Sequence, residues 1–487
     1  MADVLGRRAT RHAVVIGGSL AGLLAARALA EHAEKVTVVE RDRYPEGPEA
    51  RPGVPQGRHL HVLIAGGQQA YDELLPGFVD ELRELGAPKV GVPEDMVQWQ
   101  NGKWMQRLPA TVHFYSGPRP QLEWLVRQRV CADPRIELIE GHETVGLTGD
   151  SSRVRGVRLR ERGAGAEKET RVLEADLVVD ASGRSTKAAD WLAAIGAEAP
   201  HEETIDTGLA YATRVYRAPA GVLDSDAMGY FIVPNPDQEY GAVVLPVGDG
   251  THLVTLSGLR GNEPPTDDGA FEDYAKRMPH SLITEWLAKA EPVSPVYGFR
   301  KTANIRRRYD RPGRRPAGFL ATGDALCAFN PVYGQGMAVA AISAVALRRA
   351  LADPKRTPTT RNVQRALLDA SRQAWDVSTG ADKKMPGAVG AEDAPGALDK
   401  AVGWYMGRVQ ERAAGDPVVG AAFRKAITLT HPMTVLFAPA VVRAVLFGSV
   451  ARTPVEPPLR RREPLLAARV EPDGRRARGE EDQTGHP

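Results

Sequence analysis

Residues 13–41, AVVIGGSLAGLLAARALAEHAEKVTVVER, restrict the fold of this chain more than any other stretch. The apolar run from Ala13 to Ile16 has the length of a buried parallel strand. Gly17, Gly18, Ser19 and Gly22 then make a tight turn. A helix is expected from about Leu20 to Glu31, with Leu23, Leu24, Ala26, Ala28 and Leu29 supplying apolar faces. A second strand, Lys35 to Val39, ends on Glu40. Strand, glycine turn, helix and strand form a βαβ unit of the kind that holds a dinucleotide across the strand ends. Gly17 lets the chain turn sharply, and Gly22 lets the helix approach the sheet. Between them, N–H groups at the helix start can face a pyrophosphate. Glu40 lies about 20 residues past the turn, where a carboxylate accepts bonds from an adenosine ribose and repels a 2′-phosphate. Ser19 replaces the second glycine of G-x-G-x-x-G, and its small side chain still admits a pyrophosphate. FAD and NAD both suit this stretch.

At 487 residues the chain is long enough for two or three domains. Its 63 basic and 61 acidic side chains leave a net charge of +2, which gives no reason to expect a nucleic acid partner. Cys131 and Cys327 lie far apart, so neither a disulfide framework nor a cysteine metal site is indicated. Together with an N-terminus that lacks a signal-peptide apolar region, this points to a cytoplasmic protein. The most apolar late segment, residues 432–450, is broken by Pro439 and Arg443 and makes a poor membrane span.

Along the chain, residues 41–57 form a Pro/Gly-rich loop leading into RPGVPQGRHLHVL, which places Arg51, Gln56, Arg58, His59 and His61 close together. The two histidines lack the further ligands a metal site needs, so no metal is expected. A helical pattern over 66–85 is broken at Pro76-Gly77, and Asn101-Gly102 marks a hairpin. PRPQLEWLVRQRV reads as a helix with Arg119 at its start. Strands are expected over 136–147, 152–160 and 170–180, with a charged turn, ERGAGAEKE, between the last two. Asp180-Ala181-Ser182-Gly183-Arg184-Ser185 follows the last of them. Segments 208–216, 229–233, 241–246 and 251–258 are strand-like in succession, which indicates an antiparallel sheet. A parallel-type strand, residues 318–322, then ends on Gly323-Asp324, and a long apolar helix starts near Gly336. Taken alone, Asp324 reads equally well as a helix N-cap. Residues 361–380 and 397–450 have helical spacing.

The glycine turn with Glu40, the mid-chain DASGRS and the late Gly-Asp before a glycine-rich helix start occur in the order of one constellation. It resembles the FAD-dependent monooxygenases of the para-hydroxybenzoate hydroxylase type over about residues 10–350. The resemblance implies non-covalent FAD. Gly17, Gly18, Ser19, Gly22, Glu40 and Arg41 would stand at its adenosine-pyrophosphate end, with the backbone of Val145 on adenine. It puts Asp324 on the ribityl chain, Arg119 near the flavin, and Gly334, Gly336 and Met337 at the isoalloxazine. There the helix dipole stabilises negative charge on reduced flavin. DASGRS departs from the family's Asp-Gly core at Ala181-Ser182, which leaves open whether it helps bind NAD(P)H. The implied fold class is α/β, with a Rossmann-like FAD-binding domain (10–200 and 311–352) and an α+β substrate domain built on an antiparallel sheet (201–310). A helical C-terminal region (353–452) and a disordered tail (453–487) complete it.

GVPQGRHLHVL with ELLPGF, DASGRS with the following Trp191-Leu192, and FNPVYGQGM are most similar to the flavin-dependent epoxidases of polyether biosynthesis, such as those of the monensin and lasalocid pathways. This implies a hydrophobic small-molecule substrate, O₂, and NAD(P)H acting directly or through a partner flavin reductase. A flavin C4a-hydroperoxide would give one oxygen to an olefin. Such a transfer depends on positioning and water exclusion more than on acid–base groups. No Ser-His-Asp set or carboxylate pair stands out, and Gln56, His59 and Gln335 are the polar candidates near the reacting face. Hydroxylation of an aromatic polyketide or phenol, with His59 or His61 promoting phenolate formation, is the alternative. A prenyl reductase is a further one. No W-x-W-x-I-P run supports a halogenase.

Overall fold

A computed structural model describes residues 4–5, 10–163, 169–311, 313–390, 397–449 and 452–460. The βαβ start is present as β1 (His12–Ile16), α1 (Leu20–Leu29) and β2 (Lys35–Val39). β1 lies at the centre of a five-stranded sheet. Its order is Phe319–Ala321, Leu177–Asp180, β1, β2, Ile136–Ile139, and every pairing is parallel. Parallel sheets are covered on both faces, which is why these strands read as unbroken apolar runs. α1 and the helix Gly336–Ala352 pack together, and small residues permit the close approach.

The parallel arrangement decides where a ligand can go. Ile16, Val39, Asp180 and Ala321 end their strands on the same edge of the sheet, and β1 has a partner on each side. In open α/β sheets the binding crevice lies outside such carboxyl ends, where the strand order reverses.

The antiparallel strands expected in the middle of the chain form part of an eight-stranded sheet. One face is covered by Asp268–Tyr274 and Leu282–Leu287, whose Phe271, Ile283 and Trp286 are fully buried in its core. The sheet reaches outside 201–310. Gly229–Ile232 pairs in parallel with Met96–Gln100, which continues into Lys103–Trp104 across the Asn101-Gly102 turn. Both turn residues have positive φ, 51° and 73°, as a two-residue hairpin requires. His201–Ile205 and Asn304–Arg308 instead form a separate sheet with Cys327–Ala328.

Asp324 does not cap the long helix. It sits in a single 3₁₀ turn, Gly323–Ala325, well before that helix begins at Gly336. The C-terminal region is helical over Thr360–Asp382, Ala397–Ala413, Pro417–Ile427 and Pro439–Phe447. The expectation of a disordered tail from Thr453 fails for its first residues. The Leu459 carbonyl accepts bonds from Arg107 (2.7 Å) and Ser225 (2.6 Å), and its side chain packs on the substrate-sheet core. Residues 461–487, and 164–168 of the charged turn, lie outside the described residues. Both cysteines are free. No described helix is long and apolar enough to cross a membrane, and no metal-ligand cluster occurs among the described residues.

Candidate functional site

At the end of β1, Gly17 takes φ +95° and donates its N–H to the Val39 carbonyl at 2.8 Å. A Cβ there would stand 2.7 Å from the carbonyl oxygen of Ala181, so the DASGRS segment packs directly behind the turn. A Cβ on Gly22 would lie 1.8 Å from the Gly17 carbonyl oxygen, which fixes α1 close to the strand end. No side chain caps α1, and its first turn holds no acid. Its leading N–H groups are therefore suited to an anion.

Glu40 reaches back to this turn. One oxygen accepts the Gly18 N–H at 2.8 Å and the other accepts the Asp42 N–H at 2.9 Å. Arg51, buried, contacts three carboxylates: Asp42 at 2.9 Å, Glu40 at 3.1 Å and Glu123 at 2.8 Å. Burial opposes the guanidinium charge, but Glu123 and Glu40 outweigh it and raise its pKa. Arg119 is buried rather than in a surface ion pair, and donates to Ser19 Oγ (3.1 Å) and Glu123 (3.3 Å). Ser19 Oγ also bonds Glu123, so the residue that departs from the glycine pattern is tied into this cluster. The Tyr44 hydroxyl donates to the Gly18 carbonyl, and its ring lies under Arg51 and Arg127.

The other two segments converge on the same edge. Asp180 closes its own turn, accepting from Ser182 N (2.9 Å), Ser182 Oγ (2.6 Å) and Thr186 Oγ1 (2.5 Å). Thr322 donates its N–H to the Asp180 carbonyl at 2.9 Å, aligning the third strand end with the second. Gly323 has φ +56°, and a Cβ on it would be 2.5 Å from Ala21 Cβ, so it rests on the start of α1. Asp324, its side chain 42% exposed, faces Arg184 of DASGRS at 3.6 Å.

The loop from Asn330 to Gly336 completes the edge. Gly334, at φ +64°, would place a Cβ 2.9 Å from Val62 Cγ2, whereas nothing lies within 4 Å of a Cβ on Gly336. Gln335 is buried. Its amide donates to the Ile427 carbonyl at 3.0 Å, and its Oε1 has no partner among the described residues. Met337 is buried behind it.

The sequence of the FAD binding domain family matches residues 10–366. The chain belongs to that FAD-binding family. It is 36% identical to Protein Rv3254 of Mycobacterium tuberculosis over 346 residues, 70% of this chain and 73% of that protein. Among solved structures, p-nitrophenol 4-monooxygenase PnpA from Pseudomonas putida DLL-E4 superposes with a TM-score of 0.59 at 17% identity, covering 88% of this chain and 98% of its own. The flavin-dependent brominase Bmp2 gives 0.60 at 13% identity, covering 86% and 93%. These structures share the fold.

The residues at the sheet edge fit an FAD. The glycine cradle, the uncapped α1, the half-exposed Asp324, the open face of Gly336 and the unpartnered Gln335 Oε1 line one edge. The family cofactor would meet pyrophosphate donors at one end and a helix N-terminus at the other. Two predicted contacts are less closely tied to the turn. Arg41 is exposed and donates to the Gly53 carbonyl (3.4 Å), and Val145 lies on the strand His142–Gly149, whose first residue donates to the Glu40 carbonyl (3.1 Å).

Of the reacting-face candidates, His59 is the best defined. It is buried, its Nδ1 lies 2.9 Å from Thr213 Oγ1, and Thr213 is 2.8 Å from Thr255. Its ring meets Tyr211 and Phe299 edge-on, at 4.9 and 5.6 Å. Burial and Arg58 push its pKa down to about 4. Burial and Arg119 push that of His61 to about 3. Gln56 lies in the short turn Pro55–Arg58, and its carbonyl accepts the His59 N–H at 3.1 Å. Sequence reading gave no role to Arg51, Glu123 and Tyr44. Glu123 does carry a signal, since it stands four residues after Arg119 on one helix face.

Proposed function

We propose that this FAD-binding chain is a cytoplasmic monooxygenase that places one atom of O₂ on a hydrophobic natural-product intermediate, with olefins of a polyketide chain as its substrate. The residues 10–200 and 311–352 would hold FAD, 201–310 would present the substrate face, and the helices from 353 onward would support the flavin loop. Reduced FAD supplies activated oxygen. The overall reaction converts alkene, O₂, NAD(P)H and a proton to epoxide, water and NAD(P)⁺, with reduction direct or through a separate flavin reductase.

One observation carries the olefin assignment. Gly334 abuts Val62, and Val62 belongs to an apolar cluster with Leu60, Phe114, Phe231, Val243 and Leu245 that joins the flavin loop to the substrate sheet. This wall is hydrocarbon, which suits a greasy chain and excludes water from the oxygen donor. Both histidines beside it are held neutral at pH 7. A base with a pKa of about 4 is mismatched to a phenol, whose pKa is ~10. Epoxidation needs no such base.

A phenolic or aromatic polyketide substrate is the second reading. It draws support from the aromatic edges of Tyr211 and Phe299 around His59, which could seat a ring beside a hydrogen-bonding imidazole. Turnover under ¹⁸O₂ with NAD(P)H, with and without a flavin reductase, separates the two. One labelled oxygen in an olefinic chain supports epoxidation, and label only in a phenol supports hydroxylation. Label in neither sinks both.

A further inference from the structure

Beneath the flavin loop lies a buried carboxylate for which the oxygen-transfer reaction has no use. Asp382 ends the helix Thr360–Asp382 and is 2% exposed. Its Oδ2 accepts the side-chain amides of Asn304 at 2.6 Å and Asn330 at 2.9 Å, and its Oδ1 accepts the Tyr333 hydroxyl at 2.6 Å. Both amides are locked in orientation. Asn304 Oδ1 accepts Asn330 N (2.8 Å) and Ser378 Oγ (2.5 Å), while Asn330 Oδ1 accepts Val332 N (3.2 Å).

Three donors converge on the two oxygens of this group, and an ionised carboxylate accepts all of them. An asparagine at 382 would accept from both amides through its oxygen, but its NH₂ would face the Tyr333 oxygen and leave the Tyr333 proton without this acceptor. The charge is nonetheless unfavourably placed: it is buried, it ends a helix whose dipole disfavours negative charge, and no Lys or Arg pairs with it among the described residues. Burial above all, with Asp206 beside it, raises its pKa, and the three donated hydrogen bonds oppose that rise by favouring the anion. Asp differs from Asn here in accepting the Tyr333 proton and in carrying a charge, held against Asn330 and Tyr333 of the loop before Gly334.

We propose that Asp382 is a positioning residue that fixes the Asn330–Gly336 loop through Tyr333 and Asn330, and whose charge lowers the reduction potential of the bound flavin. This rests on the FAD assignment. A negative charge fixed behind the loop opposes electron uptake by the ring and offsets part of the stabilisation from the helix Gly336–Ala352.

The test is Asp382→Asn in the full-length holoprotein, with FAD content read from the visible spectrum and midpoint potential read against a reference dye. FAD content equal to the parent's and a reduced-to-oxidised ratio raised about tenfold at fixed dye potential, ~30 mV for a two-electron couple, support the proposal. Equal FAD content with an unchanged potential overturns it. If Asp382→Asn loses FAD, Tyr333→Phe decides. It keeps the carboxylate but removes the donor that favours its anion, so a smaller positive shift supports the proposal and no shift overturns it. A parent protein that takes up no FAD contradicts the cofactor assignment instead.

Discussion

Arg184 Nε stands 3.6 Å from Asp324 Oδ2, joining two segments that come from different strand ends of one parallel sheet. The same guanidinium donates to the carbonyls of Ala303 (2.5 Å) and Phe329, so it ties the residues leading into the strand Asn304–Arg308 and into the flavin loop to DASGRS. Arg184→Ala strands these carbonyls in a partly buried place. It is expected to cost about 2 kcal/mol in urea unfolding and to weaken FAD binding. Arg184→Lys keeps the charge but not the fork, and should fall between.

Arg51 makes a stronger prediction. It is the counter-charge for Glu40, Asp42 and Glu123, all of them buried. Arg51→Met removes the counter-charge of Glu40, leaves Asp42 to Arg162 at 3.8 Å and Glu123 to Arg119 at 3.3 Å, and should destabilise by ~3–5 kcal/mol. Denaturant titration at neutral pH measures this, and a loss under ~1 kcal/mol would show that the cluster behaves like an exposed ion pair.

The glycines of the turn should differ in tolerance. An alanine at Gly22 meets the Gly17 backbone oxygen at 1.8 Å, and only backbone movement relieves that contact. An alanine at Gly18 meets the Tyr44 hydroxyl at 2.1 Å, the far end of a side chain. Gly22→Ala should lose both folded yield and FAD. Gly18→Ala should fold with FAD affinity reduced roughly tenfold, about 1.4 kcal/mol. Equal behaviour of the two in soluble yield and FAD titration would contradict this.

The depressed histidines predict acid sensitivity. His59 and His61 have pKa values of about 4 and about 3 in the folded chain, against 6.5 for a free side chain. Between those values the unfolded chain binds more protons, so stability is fully present above pH ~6.5 and falls as pH drops toward ~4, by up to ~1.4 kcal/mol per pH unit for each histidine. His59→Gln should make the fall shallower between pH 6.5 and 4 in urea unfolding. Parallel slopes for parent and variant would rule out His59 as a source.

Much of the cofactor edge could be read from local sequence. β1, α1 and β2 are set by run length, helical spacing and glycine placement, and each of the three motif segments follows its own apolar strand. What escaped was long-range. The parallel pairing of Gly229–Ile232 with Met96–Gln100 leaves no local pattern, because a parallel partner arrives from anywhere in the chain. Arg51 looked like one of several polar loop residues until the fold brought Glu123 to it. Asp382 has the local appearance of a solvated helix end, and only packing against Asn304, Asn330 and Tyr333 buries it. Leu459 sits in a composition typical of disorder, yet Arg107 and Ser225 hold its carbonyl.

The central claim is that three strand ends assemble one non-covalent FAD site, and cofactor stoichiometry tests it most directly. The purified protein, equilibrated with FAD, washed and then heat-denatured, should release one FAD per chain into the soluble fraction, and Gly22→Ala should release almost none. A parent protein that retains no flavin after saturation, or holds it covalently in the precipitate, would contradict the account.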